Sequence, residues 1–158
     1  HRDALKLLAV VLQHTDSKAQ QQRLICVGNA GVEDPQECAA PFMLIHDAGL
    51  TFGKANRLNR NSLASVNFAR WAATPVWRDS ARCIGNLPAS WTGTLNNPVI
   101  GEAGRKFLAD LLVQLSDTQL RDLFEVARFP QYSHTAVEAW VDVFKKKRAE
   151  IVSASCPS

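Results

Sequence analysis

At 158 residues the chain can bury one core, and a composition 46% apolar and 21% charged excludes a disordered or fibrous class. A net charge of +3 permits anionic ligands but lacks the dense basic character of a nucleic-acid binder. The longest apolar run, Leu7 to Leu12, is far short of a bilayer span, and four cysteines without Cys-x-x-Cys spacing argue against structural zinc.

Residues 2–13 place Leu5, Leu8, Val11 and Leu12 on one stripe, widened by Leu7 and Val10, which predicts a largely buried helix. His14 to Gln22 is polar without a helical period and reads as loop. Arg23 to Val27 reads as a short strand, Gly28 to Pro41 as a loop or hairpin insertion holding Cys38, and Phe42 to Ile45 as the returning strand. Such a pair brings Asp16 and Asp47 together at one end. The Gly-, Asn- and Arg-rich run Gly49 to Ser65 reads as a loop, whose Lys54, Arg57 and Arg60 suit either a solvated surface or an acidic substrate.

Residues 66–87 carry large apolar side chains at irregular spacing, consistent with a small meander or short helices. Trp71, Trp77 and Trp91 suggest a satellite cluster against the core. Ala89 to Pro98 is turn-rich. Glu102 to Leu115 then predicts a helix burying Phe107, Leu108, Leu111, Leu112 and Leu115, and Ser116 with Gln119 forms a capping box opening the next helix, to about Arg128. That helix should bury Leu120 and Phe124, with Leu123 and Ala127 beside them. A last helix starts near Ser133 or Thr135, the second option capped by Thr135 with Glu138, and its stripe is Val137, Trp140, Val141 and Phe144. These make an antiparallel pair with a third packed helix. Lys145 to Arg148 reads as its solvated end. For the cysteines, a Cys38–Cys83 disulfide in an exported protein and buried free thiols both fit the sequence.

The chemistry concentrates before and after the predicted strand pair. Asp16, Lys18 and Gln21 supply a carboxylate, a cation and an amide within six residues, and Phe42-Met43-Leu44-Ile45-His46-Asp47-Ala48-Gly49 ends a strand in Asp-x-Gly. Phosphoryl transfer needs such groups: a base for the attacking hydroxyl, a cation at the transferred phosphate, and oxygen ligands for Mg²⁺. Paired carboxylates also suit glycosidic or phosphoester cleavage; Lys18 and Gln21 at these offsets favour transfer. Zincin, nucleophile-elbow and P-loop patterns are absent.

His14-Thr15-Asp16-Ser17-Lys18-Ala19-Gln20-Gln21 resembles the catalytic loop H-R-D-x-K-x-x-N of the protein-kinase-like superfamily, and Leu44 to Gly49 resembles its strand leading into D-F-G, in the manner of an atypical bacterial-type kinase. The resemblance covers about the first third of the chain. It implies Asp16 as catalytic base, Lys18 as phosphate-contacting lysine, Gln21 as the loop's Mg²⁺ ligand and Asp47 as the principal Mg²⁺ ligand, with ATP as cofactor. Thr15 replaces the customary Arg, so no arginine awaits an activation-loop phosphate, and Ala48 removes the aromatic switch. Gln21 is one methylene longer than the family's Asn.

The expected fold is mainly α with a small β component, resembling the helical C-lobe of a kinase-like fold, as a single domain over 1–158. No glycine-rich loop or strand lysine precedes residue 14, so the nucleotide-binding N-terminal lobe is expected as a partner from the same protein, with an unassigned phosphoacceptor. On that reading these residues alone should be nearly inactive, and the compartment is cytoplasmic or exported. The alternative is a pseudokinase-type or helical protein-interaction domain; on either reading no nucleic-acid partner and no transmembrane segment are expected.

Overall fold

Two short antiparallel ribbons lie among helices that bury one aromatic centre. The computed structural model describes residues 2–26, 41–45, 47, 49–53, 66–90, 93–128 and 134–157. In chain order these form α1 (Arg2–Leu12), a 3₁₀ turn (Ala19–Gln21), β1 (Gln22–Cys26), β2 (Pro41–Ile45), α2 (Phe68–Ala73), β3 (Trp77–Asp79), β4 (Ile84–Gly85), α3 (Glu102–Leu112), α4 (Asp117–Val126) and α5 (Val137–Ser153). The architecture is therefore mainly helical with a small β component, as expected. No described helix is long and apolar enough to cross a membrane.

The α1 helix buries Ala4, Leu7, Val10 and Val11, while Leu5, Leu8 and Leu12 are only half-buried. Leu7, Val10 and Val11 are buried as expected, but the buried surface is wider than one stripe, because α1 meets α3 through Asp3 and Ala4 and the β4 glycine, Gly85, through Val10. Asp3 Oδ2 accepts the Gly101 N–H at 3.0 Å just before α3 begins. At Gly104, one turn on, a Cβ would fall 2.6 Å from the Asp3 Cβ. Only a residue without a side chain lets the two backbones approach so closely.

On α3 the buried residues are Gly104, Arg105, Leu108, Ala109 and Leu112. Phe107 and Leu111, expected inside, are 40% and 48% exposed, and the helix ends at Leu112 rather than Leu115. The Ser116 capping box forms as read, and α4 buries Leu120 and Phe124; Leu123 and Ala127 are exposed. The α5 helix opens at Val137 after Ala136, with no side-chain cap, and Glu138 pairs with Arg121 at 2.8 Å instead of capping.

The Lys145 to Arg148 run is a correction of greater consequence. It lies inside α5, which continues to Ser153. Lys147 is buried, donates to the Thr74 carbonyl and sits 5.3 Å from the Trp71 ring centroid. Arg148 Nη1 donates to the Leu112 and Leu115 carbonyls at 3.1 and 2.9 Å, closing the C-terminal end of α3, and Lys145 pairs with Asp117 at 2.7 Å. Three of the four cations thus have specific partners, because helix termini leave carbonyls unsatisfied and buried ammonium needs an acceptor, while Lys146 is exposed as the solvated reading expected.

Trp71 belongs to the main core rather than a satellite. It stacks on Trp140 with centroids 5.2 Å apart, and Phe52 meets both rings edge-on at 5.1 and 5.8 Å. Phe124 closes the cluster against Trp140 at 5.5 Å. Trp91 lies outside the described residues. Residues 66–87 supply a short helix and a ribbon: α2, capped by Asn67 onto the Arg70 N–H, then β3 paired with β4. Cys83 bonds Cys156, not Cys38, tying that ribbon to the end of the chain beyond α5.

Candidate functional site

Loops fix the site from three sides. After α1, Gln13 turns into the left-handed region at φ 50°, and its side chain donates to the Val10 and Asn86 carbonyls at 2.9 and 2.8 Å. Thr15 donates its N–H to the Leu50 carbonyl, and the Phe52 N–H donates to the Leu12 carbonyl at 2.6 Å. Leu50 and Phe52 also hold positive φ, 57° and 58°, a cost that persists only where surrounding contacts over-determine the backbone. From the opposite side, Thr94 donates its N–H and hydroxyl to the Ser17 carbonyl, while Ser90 Oγ donates to the Thr15 carbonyl. Gly93 lies so close that a Cβ there would strike the Thr15 oxygen.

The β1–β2 ribbon completes the placement. Gln22 pairs with Ile45, so Gln21 before that pair and Asp47 after it lie at the same end of the ribbon. The 3₁₀ turn, closed by the Gln21 N–H on the Lys18 carbonyl at 3.1 Å, directs the Gln21 amide back over the loop.

All four sequence-predicted residues come together. Gln21 Nε2 lies 3.1 Å from Asp16 Oδ2 and, at the long limit of a hydrogen bond, 3.5 Å from Asp47 Oδ2. Lys18 Nζ is 2.7 Å from Asp16 Oδ1. That ion pair does not have hydrogen-bond angles, so Oδ1 gains a neutralising charge without an aligned donor. Asp47 Oδ1 accepts the Gly49 N–H at 2.7 Å, and a Cβ at Gly49 would sit 2.9 Å from the same oxygen. Asp16 is nearly buried while Asp47 is exposed, so the pair spans the boundary between core and solvent.

His14 lies beneath, 2% exposed, its Nε2 without a partner. Burial pushes its imidazole below the ordinary histidine range, against the opposing pull of Asp16 and Asp47. Sequence reading had the His14 position through the loop motif but not its burial. It missed Ser90, Gly93 and Thr94 altogether; they act through backbone contact from some 75 residues away, which no local pattern reports. His46, Lys54, Arg57 and Arg60 lie outside the described residues.

Hard oxygen donors on Asp16 and Asp47 suit Mg²⁺, but Gln21 turns its nitrogen toward them, and its Oε1 accepts the Lys18 N–H at 3.2 Å. The carboxylates fit a divalent cation; Gln21 in this orientation does not. No group of three or more His, Cys, Asp or Glu placed to hold a metal occurs among the described residues. The chain matches no family model, no curated protein and no solved structure.

Proposed function

We propose that this chain is the helical C-terminal lobe of a kinase-like phosphotransferase that moves the γ-phosphate of ATP to a hydroxyl acceptor. The observation that carries it is the convergence of Asp16, Lys18, Gln21 and Asp47, drawn from two segments 26 residues apart between Gln21 and Asp47, at one end of one ribbon. Asp16 orients the acceptor hydroxyl and takes its proton. Lys18, already beside that carboxylate, stabilises negative charge on the transferring phosphoryl. Mg²⁺, when bound through Asp47, supplies neutralisation of the phosphate oxygens. The pinned loop keeps Asp16 from drifting, which matters because positioning supplies most of the rate in this chemistry. The nucleotide would lie between these residues and a further lobe of the same protein.

A pseudokinase-type or helical interaction domain is the second reading, favoured by the Lys18 ion pair and the Gln21 amide that already occupy the carboxylates. Calorimetry separates the two, using the longest native form of the protein that carries this chain, with the 158 residues as control. Mg²⁺-dependent ATP binding that disappears in Asp47→Ala supports the phosphotransferase. Absence of nucleotide binding in the wild type overturns it and leaves the interaction domain. Given binding, Asp16→Asn is expected to leave ATP affinity near wild type and cut transfer by about 10²–10⁴-fold, the usual worth of a general base.

A further inference from the structure

We infer that Gln21 is a positioning residue that bridges the Asp16 and Asp47 carboxylates in the metal-free chain, standing where a cation would stand. The orientation of its amide follows from chemistry. Lys18 presents a backbone N–H to one end of the amide, and that end must be the oxygen. The other end, necessarily the NH₂, then faces Asp16 Oδ2 and Asp47 Oδ2. Exchanging the two ends would set a donor against the Lys18 N–H and an oxygen against two carboxylates, losing every contact the amide makes.

The need for a bridge is electrostatic. Lys18 neutralises Asp16 on its other oxygen, Oδ1, and Asp47 Oδ1 is engaged by the Gly49 N–H. The two Oδ2 atoms are therefore left facing the same space, where like charges oppose each other. A neutral amide with two N–H donors draws both inward. Its arm to Asp16 is the stronger, since 3.1 Å is an ordinary hydrogen bond and 3.5 Å is a weak one. A cation that enters between the carboxylates competes with the amide instead of being ligated by it; this part rests on the phosphotransferase reading, whereas the bridge itself does not.

Two measurements on the 158-residue chain test the inference. In the metal-free protein, the Gln21 side-chain NH₂ resonances are assigned by their loss in Gln21→Glu and followed in Asp16→Asn and Asp47→Asn. Movement in both variants supports the bridge; resonances indifferent to both overturn it. Mn²⁺ uptake is then followed by electron paramagnetic resonance in wild type and Gln21→Ala, with Gln21→Asn as the variant that keeps an amide if Gln21→Ala fails to fold. Mn²⁺ affinity more than about threefold tighter than wild type supports a bridge that competes with metal, and an unchanged or weaker affinity overturns that competition. If the wild type takes up no Mn²⁺, the metal site of the phosphotransferase reading fails, while the NH₂ resonances still decide the bridge.

Discussion

Glu102 gathers more donors than a helix-start carboxylate usually does. Arg105 Nε and Nη2 reach it at 2.7 Å each, and the Cys156 N–H adds a third contact at 2.9 Å. Arg105 first, then the Cys156 amide, holds its carboxyl at about 2 against an ordinary value of 4.5. The unfolded chain therefore binds more protons than the native one between these values. Stability from this group is complete above pH 4.5 and is lost as pH falls towards 2. Thermal melts from pH 6 to pH 2 should show a steeper acid loss in wild type than in Glu102→Gln, which starts lower and has less to lose. Parallel acid curves would contradict the assignment.

Lys147 shows the reverse sign of charge under the same linkage. Burial holds its ammonium below the ordinary lysine value of 10.5, the nearby Glu150 only partly opposing this. Just below pH 10.5 the unfolded chain again carries the extra proton, so this group's contribution to stability rises with pH. Lys147→Met keeps the stem beside Trp71 but removes the charge, and should abolish that alkaline rise. It also leaves the Thr74 carbonyl without its donor, a cost of about 1–3 kcal/mol that chemical denaturation would register.

Close approach between elements sets the next scale. The α1–α3 contact depends on Gly104, and Gly104→Ala places a methyl against the Asp3 Cβ and within 3.0 Å of the Ala4 nitrogen. Neither is the tip of a flexible side chain, so the helices must part, at a cost of about 1–3 kcal/mol. Intrinsic helix propensity alone would favour Ala, so a stabilised variant would refute the packing argument. Gly93→Ala makes the same collision with the Thr15 carbonyl, one residue before Asp16. Its expected signature is local: hydrogen exchange should accelerate at residues 15–18 more than in the α3–α5 helices. The sequence made the helices, the Ser116 box and the strand pair legible because periodicity and capping are local signals. It misassigned the face of α3, whose partners decide which side is inside, and it gave Lys147 to solvent because a charge run looks the same whether or not a core lies beneath it. The grouping of Asp16, Lys18, Gln21 and Asp47 was legible as a motif; the contacts from Asn86, Ser90, Gly93 and Thr94 that pin their loop were not.

At the scale of the whole molecule, the Cys83–Cys156 bond closes a segment of 73 residues that contains α3, α4 and α5. Cross-linking so long a stretch removes unfolded-chain entropy worth about 4 kcal/mol on the loop-closure relation. Such a bond persists in an oxidising compartment. The bond works alongside polar straps at the same place: Arg105 Nη1 on the Ile151 carbonyl at 2.9 Å, and Glu102 on the Cys156 N–H. Cys83 also accompanies the ribbon whose neighbour, Asn86, receives the Gln13 side chain at the edge of the site loop. Reduction should therefore lower the melting temperature by roughly 10 °C for a chain of this size. Cys156→Ser should reproduce that shift without reductant. Hydrogen exchange in the reduced protein should rise first at residues 83–87 and 151–157, where the straps remain but the covalent closure is gone. A melting temperature indifferent to reductant would mean that packing around Trp71 and Trp140 already fixes this end of the chain.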